Sequence, residues 1–587
     1  MSEKVEIKIG GGSFTTVRNA VASIDPEVCI NCGKCRRACP TEAIAEYQRP
    51  ICRLCPDCAE SPEMFPSEIK AYAAMHSCSI GCPLGTVPEA YISLIRAGRY
   101  KDAYDLISEL NPLPSICAHV CHHPCESECK RGLLLDLNKP LAIRGLKRFV
   151  TETVPAYRAP FTRRLNQKIA IIGAGPAGIT AAFDLAKKGY GVKIFEAAPK
   201  PGGMVRKCIP SFRLDKQVML DEYAALEKAG IEIVYNAKIG RNPSVAQLKA
   251  EYDAVLIAVG AAKGVLLPLP GMESNPYRVY DAVTLLDRVN RGAPYWVNAE
   301  KPERKDVDIN IGKHAVVVGG GSVAMDTART LVRMGVEKVT CACLESEAEM
   351  PAPKSEVADA RAEGIEIICG VSPQKLNCDS DWMAVEGIDF AKVERIEKDE
   401  KGRIKPILVE NSTYTFACDS VVFAVGQKAD VAQLASFSGI EMDGSKIKYD
   451  ENMQTNIPGV FVAGDVVEAR GSIINAMASG RKAALAIDNL LQDRELGSRI
   501  EHELHTGPQS QWIYRVMLED AKPQKMPKLR YHDTFEVSEL GFDEKTAVEE
   551  SKRCMKCGYE KVDTDKCIGC GVCANNCPVQ AITMKKA

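Results

Sequence analysis

The feature that most constrains the fold of this chain is a glycine-rich run, KIAIIGAGPAGITAAFDLAKKGYGVKIFEA, which begins at Lys168. Its apolar start predicts a strand, a helical pattern follows, and between them stand Gly173, Gly175 and Gly178. Glu196 closes the next apolar segment. Strand, glycine turn, helix and acid in this register predict a dinucleotide-binding βαβ unit, in which the backbone approaches a pyrophosphate closely.

A second run of the same kind, VVVGGGSVAMD, contains Gly319, Gly321 and an Ala324 in place of the third glycine. The strand after its helix ends in CACLESEAEMPA, where Glu345 stands twenty-one residues past Ala324. This spacing is close to the ~20 residues expected for an acid that binds the ribose 2'-hydroxyl of NAD. The alternative is a solvated surface acid, with coenzyme specificity set elsewhere.

Three further segments, PGGM at 201–204, LIAVGA at 256–261 and GVFVAGDV at 459–466, follow in the order used by two-dinucleotide flavoproteins. The chain here resembles the glutathione-reductase-like class, in which the first site holds FAD. That resemblance implies that Asp465 meets the ribityl chain, and that the helix near SIINAMASG points its positive N-terminus at the isoalloxazine ring. The second glycine run lies between the FAD segments, which predicts an inserted nicotinamide domain.

Candidate residues of both nucleotide sites follow from these motifs. For the FAD site they are Gly173, Gly175, Pro176, Ala177, Gly178, Glu196, Gly203, Met204, Gly260, Gly464, Asp465 and Ala476. For the nicotinamide site they are Gly319, Gly321, Ser322, Val323, Ala324, Glu345 and Gly426. No Ser-His-Asp set or carboxylate pair indicates hydrolytic chemistry, and no catalytic side chain is assigned.

The distribution of cysteines predicts a different chemistry at the two ends of the chain. Of 25 cysteines, nineteen lie in the first 129 residues or the last 34, and six are scattered through the middle as expected core residues. The chain has no apolar run of ~18 residues and no secretory signal, so we expect a cytoplasmic protein without a membrane span. Structural disulfides do not persist in that compartment, which leaves metal ligation for the nineteen.

Two copies of one cysteine motif, CINCGKCRRACPTEAI at 29–44 and CIGCGVCANNCPVQAI at 567–582, stand near the two ends. Each has the spacing C-x2-C-x2-C-x3-C-P, which predicts [4Fe-4S] ligation in which the fourth cysteine serves a neighbouring cluster. Each copy then needs ligands from outside itself. The segments CRLCPDC, after the first copy, and CMKC, before the second, are placed to supply them.

A helical pattern between these motifs, over residues 66–150, carries CSIGCP and CAHVCHHPCESEC, whose spacing puts successive thiols on one face. A cluster held from two segments is the favoured interpretation, and zinc held with His119, His122 or His123 is the alternative. Nineteen cysteines allow about four [4Fe-4S] clusters with three cysteines to spare, and three or five clusters are also possible. The candidate ligands are Cys29, Cys32, Cys35, Cys39, Cys52, Cys55, Cys58, Cys78, Cys82, Cys117, Cys121, Cys125, Cys129, Cys554, Cys557, Cys567, Cys570, Cys573 and Cys577.

Over about residues 75–495 the chain resembles the glutamate synthase small-subunit family. The motifs NPLP, CESEC, LAIRGLKRF, GAGPAG, IPSFRLDK, GGGSVAMD and EMPA stand in that family's order. The same module occurs in dihydropyrimidine dehydrogenase and in the flavin-bearing subunit of bifurcating NADH-dependent ferredoxin:NADP oxidoreductase. The resemblance implies hydride transfer between nicotinamide and FAD, and single-electron transfer between FAD and nearby clusters.

The chain departs from this family at two places. NADPH-using relatives resemble VYRRSREEMPA where this chain has CACLESEAEMPA, so two arginines that clamp the ribose phosphate are missing. Their bonds are worth roughly 1.5–3 kcal/mol each, and a carboxylate ~4 Å from a phosphate adds repulsion of a few kcal/mol, so NAD(H) is favoured over NADP(H). Relatives also carry two cysteines shortly before the pair matching Cys78 and Cys82, whereas the nearest here are Cys55 and Cys58. One relative has a glutamine as a cluster ligand near the position that matches Lys147. Cys117 can take the role of that glutamine in this chain.

The predicted fold class is α/β. Two Rossmann-like dinucleotide domains, with the NAD domain inserted in the FAD domain, accompany an N-terminal helical iron-sulfur domain and ferredoxin-like segments at both ends. The predicted boundaries are 1–65 for the N-terminal ferredoxin-like segment, 66–160 for the helical domain, 165–312 and 427–500 for the FAD domain, 313–426 for the NAD(P) domain, 501–550 for a connecting segment and 551–587 for the C-terminal [4Fe-4S] segment.

These features predict an FAD and iron-sulfur oxidoreductase that favours NAD(H). We expect it to work with other flavin or iron-sulfur subunits, and with ferredoxin, in a bifurcating transhydrogenase-type complex. The net charge of -2, from 75 basic and 77 acidic residues, offers no general attraction for nucleic acid. Two alternatives stay open: a glutamate synthase small subunit that supplies an amidotransferase partner, and a relay or scaffold subunit without its own nicotinamide turnover.

Overall fold

The computed structural model contains two compact units. The cysteine-rich unit comprises Met1–Ala156, Ser498–Pro527 and Gly541–Ala587, and the nucleotide unit comprises Tyr157–Gly497 and Lys528–Leu540. The residues described are 3–9, 12–18, 20–25, 28–41, 43–48, 78–273, 275–297, 309–380, 384–398, 404–436, 438–444, 446–467, 471–493, 521–529, 534–562, 567 and 570–586. No helix within these ranges combines the length and the apolar character that crossing a bilayer requires.

The first sheet of the nucleotide unit has five parallel strands. In spatial order they are Val460–Val462, Ala254–Ile257, Lys168–Ile172, Gly191–Phe195 and Glu232–Val234. The central strand is buried from its second residue onward, as expected for a parallel strand covered on both faces. The fingerprint turn leaves this strand at its carboxyl end, where ligands bind in open α/β sheets.

A second parallel sheet is built from residues that lie, along the chain, between strands Ala254–Ile257 and Val460–Val462 of the first sheet. Its order is Val279–Asp281, Ser420–Phe423, His314–Val318, Lys338–Ala342 and Glu366–Ile368. Between strands Glu366–Ile368 and Ser420–Phe423 of this sheet, the chain forms an antiparallel sheet. Its strands are Val371–Cys378, Val385–Lys398, Ile404–Leu408 and Tyr414–Ala417. The chain then returns to the first sheet, so the second dinucleotide domain is inserted in the first.

Helices and short strands complete the nucleotide unit. The helices are Pro176–Lys188, Met204–Lys207, Lys216–Lys228, Val245–Glu251, Ala282–Asn290, Ser322–Arg333, Lys354–Ala362, Ala432–Ser436 and Ile473–Leu491, with a 3₁₀ turn at Gly464–Val466. The short strands are Lys263–Gly264, Tyr295–Val297, Ile309–Ile311, Gln427–Lys428, Met442–Asp443 and Lys446–Ile447.

The cysteine-rich unit has a helical core. Its helices are Lys34–Ala38, Pro88–Arg96, Tyr100–Leu110, Pro114–Val120, Pro124–Ser127, Ile143–Thr153, Glu544–Ser551 and Val572–Asn575, with a π-helical turn at Arg131–Leu135. Apolar residues at helical spacing in YISLIRAGRYKDAYDLISEL form this core, in which Tyr91, Ile95 and Tyr104 are fully buried.

The two ends of the chain pair with each other in the cysteine-rich unit. Strand Ile44–Gln48 pairs antiparallel with Gly558–Val562, and Ala20–Ile24 pairs antiparallel with Ile582–Lys586. A further hairpin joins Glu3–Ile9 to Gly12–Arg18. The two copies of the cysteine motif therefore form one module, with a strand of one copy beside a strand of the other at two places.

Candidate functional site

A cavity opens beside the first glycine turn. All the residues predicted for the FAD site except Gly178 line it: Gly173, Gly175, Pro176, Ala177, Glu196, Gly203, Met204, Gly260, Gly464, Asp465 and Ala476. These residues come from six separate stretches of sequence. The parallel sheet brings the stretches together at the carboxyl ends of its strands.

Gly178 contributes by allowing close packing of the turn. A Cβ at this position would lie 2.0 Å from the carbonyl oxygen of Gly173, which no side chain can occupy. Gly175 and Gly203 lie next to each other in the cavity wall, since a Cβ on Gly203 would lie 3.0 Å from the Cα of Gly175. The glycines thus leave backbone rather than side chains facing the cavity, as a pyrophosphate requires.

Glu196, directly after strand Gly191–Phe195, is held by two backbone N–H groups. The Ala174 N–H donates to Glu196 Oε2 and the Ala198 N–H donates to Oε1, each at 2.8 Å. Both carboxylate oxygens are therefore fixed by backbone donors. Their remaining lone pairs can accept bonds from ribose hydroxyls.

The far end of the cavity combines a buried acid with an open helix end. Burial raises the pKa of Asp465 to about 6. Ser472, Ile473 and Ala476, at the start of helix Ile473–Leu491, line the cavity, and the Ser472 side chain does not cap the helix. The N–H groups at this helix start carry partial positive charge, which favours an anionic ring system.

The second glycine turn follows strand His314–Val318 and leads into helix Ser322–Arg333. Gly319 has a φ of +142°, and a Cβ there would lie 2.5 Å from the carbonyl oxygen of Ala424. Gly321 has no atom within 4 Å of its Cβ position, so the space above it is open for a ligand. Ala324 is fully buried, where it takes the packing role of the third glycine.

Glu345 lies beside this second turn. Its Oε2 is 3.0 Å from the position of a Cβ on Gly320. The next acid, Glu347, is largely exposed and pairs with Arg361 at 2.6 Å. Of these two acids, Glu345 is therefore the one that faces the turn.

The start of the second fingerprint helix reaches the same cavity. Val323 is part of the cavity lining, and it packs with Met204 against buried Cys208. Cys208 also lines the cavity, and burial raises the pKa of its thiol to about 12. The two predicted nucleotide sites therefore meet at Val323.

A buried ion pair, which sequence reasoning did not identify, joins this helix to the IPSFRLDK loop. Arg213 Nη1 donates to both carboxylate oxygens of Asp326 at 2.9 Å, and Nη2 donates to Glu356 at 2.8 Å. The ring of Phe212 packs under the guanidinium of Arg333, with its centroid 3.9 Å away. The only sequence signal was Arg213 itself, within the IPSFRLDK motif.

In the cysteine-rich unit, two rings of four cysteines each line a small cavity. One ring consists of Cys39, Cys567, Cys570 and Cys573. The other consists of Cys29, Cys32, Cys35 and Cys577. Each motif thus places its fourth cysteine in the ring of the other copy.

This arrangement differs from the expectation that neighbouring segments supply the outside ligands. Strand pairing brings the two copies together, and the proline after each fourth cysteine turns that residue away from its own first three. The surroundings suit thiolates, since the Ala43 N–H donates to Cys39 Sγ at 3.3 Å and the Ala581 N–H donates to Cys577 Sγ at 3.2 Å. Of the neighbouring segments, Cys52, Cys55 and Cys58 lie outside the described residues.

The cysteines of the helical core form two further groups. One interacts electrostatically with the buried ammonium of Lys147 and consists of Cys82, Cys117, Cys121 and Cys125. Burial opposes the charge of Lys147, but these thiols raise its pKa above the usual value. Cys78 and Cys129 instead interact with Cys554 and Cys557.

Among the described residues no three His, Cys, Asp or Glu side chains converge as the ligands of a single ion would. Zinc draws thiolates to ~2.3 Å from one centre, whereas an iron-sulfur cubane takes its thiolates at separate irons. Rings of four thiols without such convergence fit the larger group. His119, part of the zinc alternative, donates from Nδ1 to the Ser115 carbonyl oxygen at 2.8 Å.

Residues 167–480 match the pyridine nucleotide-disulphide oxidoreductase family, and this match spans more than half of the chain. The chain belongs to this oxidoreductase family. Residues 71–158 match the dihydropyrimidine dehydrogenase domain II, 4Fe-4S cluster, and residues 22–45 and 560–583 match the 4Fe-4S binding domain.

Members of the family with similar sequences include subunits of larger enzymes. The NADP(+)-dependent formate dehydrogenase subunit beta of Moorella thermoacetica is 34% identical over 82% of this chain and 70% of its own length. The NAD-dependent dihydropyrimidine dehydrogenase subunit PreT of Escherichia coli K12 is 37% identical over 71% of this chain and 91% of its own length. Among solved structures, Mycobacterium tuberculosis FprA in complex with NADPH is 19% identical, with a TM-score of 0.47, over 57% of this chain and 88% of that one.

The comparisons confirm the predicted fold class and the resemblance to FAD and iron-sulfur NAD(P) oxidoreductase subunits. This oxidoreductase therefore has an FAD-type nucleotide domain and 4Fe-4S domains, and it is an electron-transfer protein. The individual ligand roles stay predictions. Sequence reasoning missed several residues of the cavity wall, namely Lys207, Cys208, Lys238, Gln427 and Asp430.

Proposed function

We propose that the protein is an NAD(H)-favouring subunit that passes electrons between nicotinamide and iron-sulfur clusters through FAD. The observation that carries this proposal is the position of Val323, which begins the helix of the second nucleotide site and also lines the cavity of the first. A nicotinamide bound along that helix would reach the flavin cavity. Hydride transfer requires such direct approach of the two ring systems.

FAD, when bound, accepts electrons as a hydride pair and releases them singly. The chain supplies the rest. The glycine turns and helix N-termini bind pyrophosphates, Glu196 holds a ribose, and the open end of helix Ile473–Leu491 stabilises negative charge on the ring. Apolar Met204 and Val323 exclude water from the place where the two rings would meet.

The preference for NAD(H) rests on Glu345. A carboxylate beside the second turn accepts hydrogen bonds from a ribose 2'-hydroxyl but repels a 2'-phosphate. The relatives do not settle the coenzyme, since one is named as NADP(+)-dependent and another as NAD-dependent. The local charge therefore carries this part of the proposal.

The ferredoxin-like rings give electrons a route outward. We propose that one ring, of Cys29, Cys32, Cys35 and Cys577, and the other, of Cys39, Cys567, Cys570 and Cys573, each hold a [4Fe-4S] cluster. A third set, of Cys82, Cys117, Cys121 and Cys125, interacts with Lys147. With a set of Cys78, Cys129, Cys554 and Cys557, the count is about four clusters.

We also propose that the chain works in a larger complex with other flavin or iron-sulfur subunits. Relatives named as subunits of formate dehydrogenase, dihydropyrimidine dehydrogenase and NADPH-Fe(3+) oxidoreductase support this. Bifurcating transhydrogenation among ferredoxin, NAD and NADP is the finer proposal, because two terminal clusters exceed what a self-contained dehydrogenase needs. In the native complex, ferredoxin reduction by NADPH should then require NAD(+), and reduction without NAD(+) would contradict bifurcation.

The basic activity can be tested on the purified chain. After anaerobic purification we expect bound FAD and iron, and faster reduction of a viologen dye with NADH than with NADPH. A chain that holds FAD and iron but reduces no dye with either coenzyme would instead be a relay or scaffold.

A further inference from the structure

Cys554 and Cys557 lie in a stretch that neither iron-sulfur family match covers. The match in the helical core ends at residue 158, and the C-terminal match begins at residue 560. The stretch, RCMKCG, joins helix Glu544–Ser551 to strand Gly558–Val562. The ferredoxin-like rings already contain four cysteines each without these two.

On one side, the stretch is fixed to the helical core by Arg553, whose side chain is fully buried. Its Nη2 donates to Asp136 Oδ2 at 2.9 Å. In return, Arg131 Nη1 donates to the carbonyl oxygen of Arg553 at 3.1 Å. Because Arg131 stands two residues after Cys129, these bonds hold the backbone beside Cys554 close to the segment that carries Cys129.

On the other side, the stretch is fixed by Glu89, in helix Pro88–Arg96. The Gly558 N–H donates to Glu89 Oε2 at 3.0 Å, and the Glu89 side chain is buried. Gly558 directly follows Cys557. Both ends of the short turn between the two cysteines are therefore bonded to the helical core.

The turn packs against the part of the helical core that contains Cys78 and Cys129. Cys129 is buried in that core, and Cys78 and Cys554 pack against it. Cys557 stands three residues after Cys554, and the next residue, Gly558, is bonded to the core through Glu89. Packing and hydrogen bonds therefore place four cysteines, the number that a [4Fe-4S] cluster takes, in one region of the helical core.

We propose that Cys78, Cys129, Cys554 and Cys557 together hold one [4Fe-4S] cluster, with half of the ligands supplied by the C-terminal segment. This rests on the proposed function, because it assigns ligands to one of the clusters named there. The cluster can form only after the C-terminal segment has docked on the helical core.

Iron counting on the full-length, anaerobically purified protein tests the assignment. The variant Cys554→Ala/Cys557→Ala should lose about four irons per chain and keep its FAD, which shows that the nucleotide unit is folded. The matched control Cys52→Ala/Cys55→Ala/Cys58→Ala removes the nearest upstream cysteines and should keep this cluster. Full iron content in the first variant overturns the proposal.

Combined variants identify the partners of the pair. Adding Cys78→Ala/Cys129→Ala to Cys554→Ala/Cys557→Ala should remove no further iron, because all four residues serve one cluster. Adding Cys567→Ala/Cys570→Ala should remove about four more irons, because those serve another. A further loss of about four irons with Cys78→Ala/Cys129→Ala overturns the assignment.

Alkylation of the unaltered protein gives an answer that does not depend on variants folding. Cys78, Cys129, Cys554 and Cys557 should resist iodoacetamide while iron is bound, and should become reactive together when a chelator removes it. Alkylation of Cys554 and Cys557 in the iron-replete protein overturns the proposal. A wild-type chain without iron would contradict the proposed function itself, which separates the two failures.

Discussion

The carboxylate of Glu345 faces Gly320, with Oε2 3.0 Å from the position where a Cβ of that glycine would stand. The strand end that carries the acid is itself held, because the Gly370 N–H donates to the Glu345 carbonyl at 2.9 Å. The acid is thus placed at the turn by backbone pairing. A phosphate on the adenosine ribose would meet this negative charge at close range.

Replacing Glu345 with Arg should therefore raise the use of NADPH. Removing the repulsion and adding a charge-assisted bond of roughly 1.5–3 kcal/mol should increase the ratio of kcat/KM for NADPH to that for NADH by about 10- to 100-fold. Steady-state dye reduction with each coenzyme measures this ratio. Glu347→Arg is the matched control and should change the ratio little, and an equal response of both variants would contradict the role of Glu345.

Two glycine substitutions should separate packing from ligand binding. Gly178→Ala forces a Cβ against the Gly173 carbonyl, so we expect lower FAD content and a lower Tm. Gly321→Ala meets no protein atom within 4 Å, so Tm should stay unchanged while the Kd for NADH rises. Thermal unfolding and NADH titration test the pair, and a normal Kd with Gly321→Ala would argue against a pyrophosphate above that turn.

The FAD-free protein should lose stability as the pH rises toward the pKa of Asp465. The pKa of Asp465 in the folded protein, about 6, lies above the ordinary aspartate value. Its contribution to the free energy of unfolding is therefore greatest below about pH 4. That contribution is lost as the pH rises from about 4 to about 6, and the loss then levels off. Urea unfolding across this range should show a smaller decrease for Asp465→Asn than for the wild type; parallel curves would contradict the burial effect.

Lys147 should raise the reduction potential of the cluster held by the thiols around it. A buried cation stabilises the reduced, more negative state, so Lys147→Met should lower the midpoint potential by on the order of 100 mV. An EPR-monitored redox titration measures the change. The control Lys147→Arg keeps the charge, so its midpoint potential should lie close to that of the wild type. Equal midpoint potentials in the wild type and Lys147→Met would contradict this role of Lys147.

Sequence reasoning succeeded where short-range patterns determine the structure. The strand, glycine turn and helix at Gly173 form one local unit, and the spacing from Ala324 to Glu345 reflects one βαβ crossover. Such patterns need no knowledge of distant contacts. The fold class could therefore be predicted from the motifs and their order.

The partners of the cysteines could not be predicted in this way. The C-x2-C-x2-C-x3-C-P spacing indicates that Cys39 and Cys577 leave their own motifs, but not which distant residues they join. That choice depends on strand pairing between the two ends of the chain. The ion pair of Arg213 with Asp326 was missed for the same reason, since its partners are far apart in sequence.

The most direct test is whether electrons pass between the clusters and nicotinamide through bound FAD. The anaerobic protein is reduced with dithionite, desalted and mixed with NAD(+), and absorbance at the NADH band is followed. We predict NADH formation by the FAD-loaded protein, none after FAD is stripped, and recovery when FAD is restored. NADH formation at the same rate without FAD, or none with FAD and reduced clusters both present, would contradict this account.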